Sequence, residues 1–448
     1  MKTLYMVSLG CPKNLIDSEV MLAALERGGY RLVASAELAT LVLINTCGFI
    51  RPAVEEAIDA ILTIAENKKE RPGQLLVVAG CMVQRYGEVL TEELPEVDLF
   101  VGLDDFHRLD ELLADIDSTA KSVVHSGAGS FLMDSSIPRR IATPPHRSYL
   151  KITEGCNNRC TYCLIPSIRG VLRSRTVLDL TSEAVRLEQL GVRELSLVAQ
   201  DLTGYGRDLR EPAHLVMLLQ SLIQKTSIPW FRLLYAYPSG ISNELLQLMA
   251  QEPRILPYID VPFQHASDTV LAAMNRHYCQ AELDEVVQRI RSHLPECAIR
   301  TTFIVGFPGE TEKDIEILLS ALERWQLDHV GIFQYYDEEG SLASQLPAKV
   351  PEQEQQRRYE LVMSVQAEIS AYRQRRFVGR VEPVLIEGVS QETDLLLEGR
   401  SRFQAPEIDG CVYITSGSVN PGDIIPVRIT EAHTYDLVGE VITDKNSG

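Results

Sequence analysis

The sequence predicts an α/β protein of several domains, with a small β-barrel at the end of the chain. Short apolar runs typical of buried parallel strands alternate with helical patterns, first in residues 1–125 and again in residues 148–373. Residues 126–147 between them are rich in Gly, Ser and Pro and are predicted to be a linker. In the tail, 374–448, short β-rich runs are divided by Gly and Pro, which is typical of a small closed barrel of the OB type.

Length, charge and cysteine content limit the kinds of protein that fit. The chain has 448 residues, nine cysteines and a formal net charge of −19. This acidity argues against a generic nucleic-acid binder, whose phosphate contacts need Lys and Arg, and it favours a basic partner. We see no signal peptide and no apolar run of membrane-spanning length, so we expect no membrane partner. With an odd cysteine count, these features predict a cytoplasmic protein whose thiols are reduced or bind metal.

Each predicted strand of the first domain ends at a cysteine beside a glycine. The cysteines are Cys11, Cys47 and Cys81. Ligands of open α/β sheets bind beyond the carboxyl ends of the strands, so we expect these thiols to converge and to hold an iron–sulfur cluster with one open iron. Three small buried residues are the alternative, since free cysteine is commonly buried. The predicted strands are Leu4–Leu9, Leu41–Asn45 and Leu75–Ala79, with helices near 18–27 and 53–67.

A second group of three cysteines opens the second domain. Cys156, Cys160 and Cys163 are spaced Cys-x3-Cys-x2-Cys, with no fourth cysteine nearby. A four-iron cluster ordinarily takes four cysteines, so three thiolates at this spacing would leave one iron with an open coordination position. A zinc knuckle is the alternative, although structural zinc takes four ligands, usually as two Cys-x2-Cys pairs. The other cysteines lack ligand-like spacing and are predicted to be structural: Cys279, Cys297 and Cys411.

Six strand-and-helix units are predicted in the second domain, too few for a complete eight-stranded barrel but enough for an open, partial one. The cysteine run follows its first strand. Later strand ends carry Gln200 and the segment Gly306–Glu310, which is suited to close approach of an adenine or ribose, or is a plain turn. The predicted strands are 148–153, 194–199, 231–236, 258–261, 298–305 and 330–335, and helices are predicted at 180–190, 312–325 and 352–377.

Three arginines follow the second group of cysteines closely. Arg169, Arg173 and Arg175 are placed to face a carboxylate of a ligand or substrate, because a guanidinium pairs well with a carboxylate. A solvated basic loop is the more common outcome for such residues. The sequence leaves both possibilities open.

Together these motifs resemble the radical S-adenosylmethionine (SAM) methylthiotransferases over nearly the whole chain. The radical SAM signature is Cys-x3-Cys-x-aromatic-Cys, and Tyr162 occupies the aromatic position. The resemblance implies an N-terminal cluster domain, a radical SAM core built as a partial, TIM-like (βα)6 barrel, and a C-terminal TRAM domain. It also implies two 4Fe-4S clusters and SAM as cofactors, an electron donor, and SAM contacts at Tyr162, Gln200, Gly306 and Glu310.

The family inserts sulfur at an unactivated C–H bond by radical chemistry. The resemblance implies that one SAM methylates a sulfur on the N-terminal cluster, while a second SAM, bound at the Cys156 cluster, is cleaved to a 5′-deoxyadenosyl radical. The substrate radical then collects the methylthio group. A carbon-bound hydrogen on an aspartate side chain has no useful acidity, so general-base catalysis would be slow and the cofactor must carry this step.

Two branches of this family are candidates, one acting on an adenosine of tRNA and one on the β-carbon of an aspartate in the small-subunit ribosomal protein number twelve. The tRNA branch usually carries Cys-Gln-x-Asn where this chain has Cys-Pro-Lys-Asn at 11–14. From residue 374 onward, seven Arg and Lys stand against twelve Asp and Glu, whereas a tail that grips tRNA should be basic. Both observations predict the ribosomal protein as partner and argue against tRNA. Further segments that resemble the ribosomal-protein branch are 45–50, 163–170, 200–206 and 405–410.

An acidic tail would attract a basic ribosomal protein, so docking is expected to use its carboxylates. An iron–sulfur scaffold or electron carrier that docks ribosomes is the non-enzymatic alternative, but a six-unit SAM-type barrel would have no purpose in it. The sequence leaves open which tail carboxylates face the partner; the candidates are Glu382, Glu387, Glu392, Asp394, Glu398, Glu407 and Asp409.

Overall fold

A six-stranded parallel sheet in the order β2-β1-β3-β4-β5-β6 forms the first domain. The computed structural model describes residues 2–114, 123–125, 127, 129–390, 392–417 and 419–442. The elements of this domain are β1 (Thr3–Ser8), α1 (Pro12–Arg27), β2 (Arg31–Leu32), β3 (Leu41–Thr46), α2 (Arg51–Lys68), β4 (Leu75–Gly80), α3 (Cys81–Tyr86), α4 (Val89–Glu93), β5 (Leu99–Val101), α5 (Leu109–Ala114) and β6 (Val123–His125). The central strands β3 and β4 are buried along nearly their whole length, as expected of strands covered on both faces.

A second parallel sheet of six strands forms the core, in the order β14-β13-β12-β11-β10-β7. Because this sheet is not closed, it confirms the predicted partial barrel. Its strands are β7 (Arg147–Lys151), β10 (Glu194–Val198), β11 (Trp230–Leu233), β12 (Ile255–Asp260), β13 (Ala298–Val305) and β14 (His329–Gln334), and β8 (Thr153–Glu154) pairs separately with β9 (Arg173–Ser174). Its helices are α6 (Ile165–Arg169), α7 (Val177–Gln189), α8 (Leu215–Lys225), α9 (Asn243–Gln251), α10 (Asp268–Ala273), α11 (Gln280–His293), α12 (Glu312–Trp325) and α13 (Glu352–Gln374).

Five strands close into a barrel in the tail, in the order β15-β16-β17-β19-β18, which confirms the predicted small β-barrel. They are β15 (Val381–Val389), β16 (Leu397–Ser401), β17 (Val412–Ile414), β18 (Ile424–Ala432) and β19 (Leu437–Val441). Among the residues that the structure describes, no helix combines the length and apolarity needed to cross a bilayer.

The first domain and the tail contact opposite ends of the same core strand. Glu194 begins β10 and forms an ion pair with Arg400 of the tail barrel. Ala199 directly follows β10, and its carbonyl accepts a hydrogen bond from Lys13 Nζ of the first domain at 3.5 Å. The core strands are therefore capped by the tail at their amino ends and by the first domain at their carboxyl ends.

Several acidic residues of the tail are occupied by these contacts. Glu382 pairs with Arg402 at 2.8 Å, and the largely buried carboxylate of Glu387 pairs with Arg400. Asp409 is buried and accepts a hydrogen bond from Tyr258 of the core at 2.7 Å. The expectation that Glu382, Glu387 and Asp409 dock a basic partner is therefore wrong, because these carboxylates neutralise arginines or anchor the barrel to the core.

The remaining tail carboxylates are placed differently. Glu392 and Asp394 are exposed, Glu398 is half-buried, and Glu407 pairs with Arg147 of the core at 3.0 Å. These residues can still attract a basic protein, but the acidity available at the surface is smaller than the sequence total indicates.

Candidate iron–sulfur and SAM site

Three cysteines meet at the carboxyl edge of the first sheet. Cys11 directly precedes α1, Cys47 follows β3, and Cys81 begins α3. A methyl group placed on Gly10 would lie 2.9 Å from Cβ of Cys47, and one on Gly48 would lie 2.7 Å from the carbonyl oxygen of Cys81. Only glycine permits such close approach of the three loops. The glycines beside the cysteines therefore bring the first triad together (Cys11, Cys47 and Cys81).

Asn14 connects the loops of this first triad from inside. Its amide Nδ2 donates to the carbonyl oxygens of Leu9 at 3.2 Å and Thr46 at 2.9 Å, which follow or end the strands β1 and β3. Its Oδ1 lies 3.4 Å from Sγ of Cys81 and accepts a hydrogen bond from Arg169. Because Asn14 is buried and fully used, it fixes the relative positions of three strand ends.

Arg169 extends from the core into the first triad. It ends α6, six positions after Cys163, and is buried. Its Nη2 lies 3.1 Å from Sγ of Cys81 and 2.9 Å from Asp17, while its Nη1 donates to Glu154 at 2.9 Å. The guanidinium is thus held by two carboxylates and points one N–H at a thiol of the other domain.

The expectation of a solvated basic loop is wrong for two of the three arginines. Arg169 and Arg175 are buried, and Arg175 pairs with Asp179 at 2.7 Å and with Glu183 at 2.6 Å. Arg173 is half-buried and donates to backbone carbonyls. Burial of a guanidinium requires carboxylate partners, and here the protein itself supplies them.

The second triad, Cys156, Cys160 and Cys163, lies in the loop that follows β8. The Cys163 N–H donates to the Cys160 carbonyl at 3.1 Å, which curls the loop so that neighbouring thiols share one side. Arg276 Nη1 lies 3.3 Å from Sγ of Cys160, and its guanidinium stacks over the ring of Tyr237 at 4.3 Å. Each triad therefore has one buried arginine that donates to one of its sulfurs.

The ionisation of the thiols fits metal ligands better than free nucleophiles. Burial raises the pKa of Cys81 to about 12, of Cys156 to about 11 and of Cys163 to about 12. Burial also acts on Cys11, but nearby Lys13 and the Arg169 guanidinium outweigh it and lower the pKa of that thiol. A thiol must lose its proton to bind metal, and bound iron supplies the positive charge that a buried thiolate needs.

The donor set of both triads suits iron–sulfur clusters. Within the described ranges, no three His, Cys, Asp or Glu side chains are arranged around a single metal ion. Thiolates that hold a four-iron cluster each bind a different iron, so they need not converge on one point. The residues that fit cluster ligation are the ones that the sequence indicated: Cys11, Cys47, Cys81, Cys156, Cys160 and Cys163.

Two of the residues expected to contact SAM lie close to each other. Tyr162 packs in an apolar cluster with Met274, Phe307 and Tyr335, beside the turn that begins at Gly306. Phe307 and Tyr335 form an edge-to-face pair with ring centroids 5.3 Å apart. The structure therefore places the aromatic position of the second triad in the same apolar cluster as Phe307, the residue after Gly306.

Glu310 and Gln200 have other surroundings. The buried carboxylate of Glu310 accepts the Gly306 N–H at 2.8 Å and pairs with Arg358 at 2.8 Å, so it holds the turn in shape. Gln200 lies outside the Tyr162 cluster and donates to Glu154 at 3.4 Å. Its Oε1 is buried and has no hydrogen-bond partner among the described residues, so it is an acceptor available to a ligand.

Of the four residues that the sequence did not indicate, three act across domains, and the fourth, Arg276, contacts the second triad within its own domain. Lys13, Asn14, Asp17 and Arg276 gave no spacing signal, because their partners are more than 100 positions away or belong to another domain. The Cys-Pro-Lys-Asn motif at 11–14 contained two of them, and its polar residues directly after a strand end were the only signal available.

Three known families match successive parts of the chain. The matches are described as "Uncharacterized protein family UPF0004" over residues 3–102, "Radical SAM superfamily" over residues 150–322 and "TRAM domain" over residues 378–442. Among solved structures, the radical SAM methyltransferase TsrM from Kitasatospora setae has a TM-score of 0.56 at 16% identity, covering 74% of this chain and 73% of that one. The cobalamin-dependent SAM radical enzyme OxsB has a TM-score of 0.51 at 12% identity, covering 82% of this chain and 56% of that one. These two likenesses show the fold.

Curated relatives match over the full length. A protein of Desulfotalea psychrophila named "Ribosomal protein uS12 methylthiotransferase RimO" is 48% identical, covering 98% of this chain and 99% of the relative. A protein of Geobacter sulfurreducens with the same name is 46% identical, covering 98% of both chains. The protein is a transferase that uses iron–sulfur and SAM, and it belongs to the radical SAM methylthiotransferase family, in the branch whose members are named for ribosomal protein uS12.

Proposed function

We propose that this protein transfers a methylthio group to the β-carbon of an aspartate in ribosomal protein uS12. The observation that carries the proposal is a set of direct contacts between the segments that hold the two triads, which belong to different domains. Arg169, from the segment after the second triad, touches Cys81 of the first, and Lys13, two positions after Cys11, touches the core beyond β10. These contacts support a single reaction site that both triads serve.

In this proposal each triad holds one 4Fe-4S cluster with an open iron. The bound clusters and SAM supply the carbon radical chemistry and the methylthio group, and an external donor supplies electrons. The contribution of the chain is to hold, orient and exclude water. Tyr162, Phe307 and Tyr335 form an apolar wall beside the second triad, and such a wall keeps water from a reactive intermediate.

The proposed SAM contacts follow from the same geometry. Tyr162 and the Phe307 side chain, next to Gly306, belong to one apolar cluster and are suited to the adenosine end of SAM, and the open Oε1 of Gln200 is suited to a donor group. Glu310 contributes by keeping the Gly306 turn in place through its hydrogen bond and its ion pair with Arg358. We thus propose two clusters per chain and SAM contacts at these residues.

The choice of uS12 over tRNA rests on the relatives. Their printed name gives uS12 as the substrate, and their identity extends over the whole chain, including the tail. The tail charge supports this choice less than the sequence indicated, because Glu387 and Asp409 are already engaged with groups of the protein.

The experiment that tests the proposal compares both substrates under matched anaerobic conditions. Reconstituted protein, SAM and a reductant are incubated with uS12 or with tRNA, and each product is analysed by mass spectrometry. We expect a mass gain of one methylthio group on one aspartate of uS12 and no modified adenosine. The Cys156→Ala/Cys160→Ala/Cys163→Ala protein is the matched control and should modify neither. Modification of tRNA with uS12 left untouched would overturn the proposal.

A further inference from the structure

Lys13 is a buried cation without a carboxylate partner. Its side chain belongs to a residue that is only 8% exposed. Within the described part of the chain, Nζ forms no ion pair: it lies 3.5 Å from the carbonyl oxygen of Ala199 and 3.5 Å from the centroid of the Tyr235 ring. A lysine ammonium has three donor hydrogens, so one long hydrogen bond and one ring face leave most of its donor capacity unused.

Other buried cations of this protein are neutralised locally. Lys151 pairs with Asp17 and with Glu154 at 2.8 Å, and Arg232 pairs with Glu194 at 2.6 Å. Burying an unpaired charge is expensive, and proteins normally supply a counter-ion. Lys13 has no such carboxylate among the described residues. The Cys11 thiolate beside it supplies negative charge, and the unused donors of Nζ remain available to an acceptor that arrives with a ligand.

The location of Lys13 fits a substrate better than a structural ion. It follows Cys11 by two positions, and it faces the carboxyl ends of two neighbouring core strands: Ala199 directly follows β10, and Tyr235 is the second residue after β11. Tyr235 has a positive φ of 65°, a conformation that a tyrosine rarely adopts. Backbone strain of this kind concentrates at functional sites, and here it places the ring against the ammonium.

The charged groups around Lys13 come from both domains. Arg169 and the thiol of Cys11 belong to the first triad and its contacts, while Asp260 and Glu154 of the core act on the pKa of Lys13 more weakly than Cys11 does. Asp260 pairs with Arg300 at 2.9 Å, and Glu154 pairs with Lys151 and Arg169. Both carboxylates are therefore engaged with other cations.

We propose that Lys13 binds the carboxylate of the substrate residue during methylthio transfer. This inference rests on the proposed function and names the residue that selects the substrate side chain. In an aspartate, the β-carbon is bonded directly to the carboxylate carbon. A cation that holds the carboxylate at the boundary between the triads therefore fixes the reacting carbon one bond away. The same cation favours an acid over its amide, and over a neutral nucleobase.

The test measures binding, so that it does not depend on turnover. Full-length reconstituted protein is titrated with uS12 and with a uS12 form in which the target aspartate, identified by mass spectrometry, is replaced by asparagine. We expect the aspartate form to bind at least tenfold more tightly to the wild-type protein, and the Lys13→Met protein to bind both forms alike. Arg173→Gln removes a cation from the neighbouring segment without touching Lys13, and it should keep the full preference.

The outcomes distinguish failure of the proposed function from failure of the role assigned to Lys13. If wild-type protein binds no uS12, the proposed function is wrong and this inference falls with it. If wild-type protein binds uS12 but Lys13→Met keeps the preference for the aspartate form, only the inference is overturned. Should Lys13→Met lose iron or helix content, Lys13→Arg is measured instead. Because it keeps the positive charge, it should retain a preference, and complete loss in a folded, iron-loaded Lys13→Arg protein would contradict a role based on charge.

Discussion

Arg169 Nη2 lies 3.1 Å from Sγ of Cys81, so an arginine beside one triad donates to a thiol of the other. Hydrogen bonds to cluster sulfurs and nearby positive charge stabilise the reduced form of an iron–sulfur cluster. We therefore expect Arg169→Gln to move the midpoint potential of the N-terminal cluster to more negative values, a tenfold change in the reduction equilibrium being about 59 mV for one electron.

This shift is measured by redox titration with electron paramagnetic resonance. The Cys156→Ala/Cys160→Ala/Cys163→Ala protein serves as background, because only the N-terminal cluster then contributes a signal. Arg173→Gln is the matched control, since Arg173 is close in sequence and donates to backbone carbonyls only. An unchanged potential in a protein with normal iron content would show that the Arg169 contact does not tune this cluster.

Iron content tests the number of clusters. If both triads hold a four-iron cluster, anaerobically reconstituted protein should contain roughly eight irons per chain. Replacement of Cys11, Cys47 and Cys81 by Ala should remove about half of them, because the second triad belongs to a different domain. Iron analysis and visible absorption measure this. Saturation of the wild-type protein at half that iron content would contradict two clusters.

The two triads should fail in different ways. Without Cys156, Cys160 and Cys163, reductive cleavage of SAM should stop, since the cluster proposed to bind and cleave SAM is lost. Without Cys11, Cys47 and Cys81, the protein should still form 5′-deoxyadenosine but transfer no methylthio group. Chromatography of deoxyadenosine and mass spectrometry of uS12 separate these steps, and circular dichroism checks that the first domain remains folded. Full methylthio transfer without the first triad would refute the division of roles.

The stability of the contact between the tail and the core should fall at acidic pH, because the Glu194 carboxylate becomes protonated. Burial alone would raise the pKa of this carboxyl, but Arg400 and Arg232 outweigh it and lower the pKa from 4.5 to about 2. A carboxyl with a depressed pKa in the folded state stabilises the protein above pH 4.5, and this stabilisation is lost as pH falls toward 2, with a total of roughly 3 kcal/mol.

Urea unfolding of the apoprotein at several pH values measures this loss. Trp230 pairs with Glu194 across β10 and β11, so its fluorescence reports the same region. Glu194→Gln should be less stable at neutral pH by about 3–5 kcal/mol, because two arginines lose their buried partner, and its stability should fall less on acidification. Equal acid sensitivity of the two proteins would assign the effect to other carboxyls, such as Glu387.

Local sequence signals predicted the sheets well where strands are long and apolar. β3 and β4 appeared almost residue for residue, whereas β2 and β5, with two and three residues, carry too little apolar pattern to detect. Helix α1 begins at Pro12, six residues before the predicted start, and a proline in the first helical turn is favourable because its missing N–H has no partner there. Element boundaries thus depended on capping chemistry more than on hydrophobic period.

Contacts between distant residues account for what the sequence could not show. The cysteines were predictable because strand ends share an edge, but the partner of Arg169 is 88 positions away, and its burial depends on Asp17 and Glu154 from two domains. As an aspartate of the acidic tail, Asp409 was expected at the surface, but its side chain is buried and accepts a hydrogen bond from Tyr258. The direction of a charged side chain is decided by tertiary packing, which a count of charges does not contain.

The tail barrel and the first domain contact opposite ends of β10, so the tail barrel lies away from the cysteine triads. Glu194 binds the tail at one end and Ala199 receives Lys13 at the other, so the tail contributes no group to either triad among the described residues. The tail barrel is attached at the end of the core opposite to the triads. A change in the barrel can therefore alter which macromolecule the enzyme binds without altering the residues around the triads. Exchange of tails between relatives would then alter the binding partner of the enzyme without altering the reaction that it catalyses.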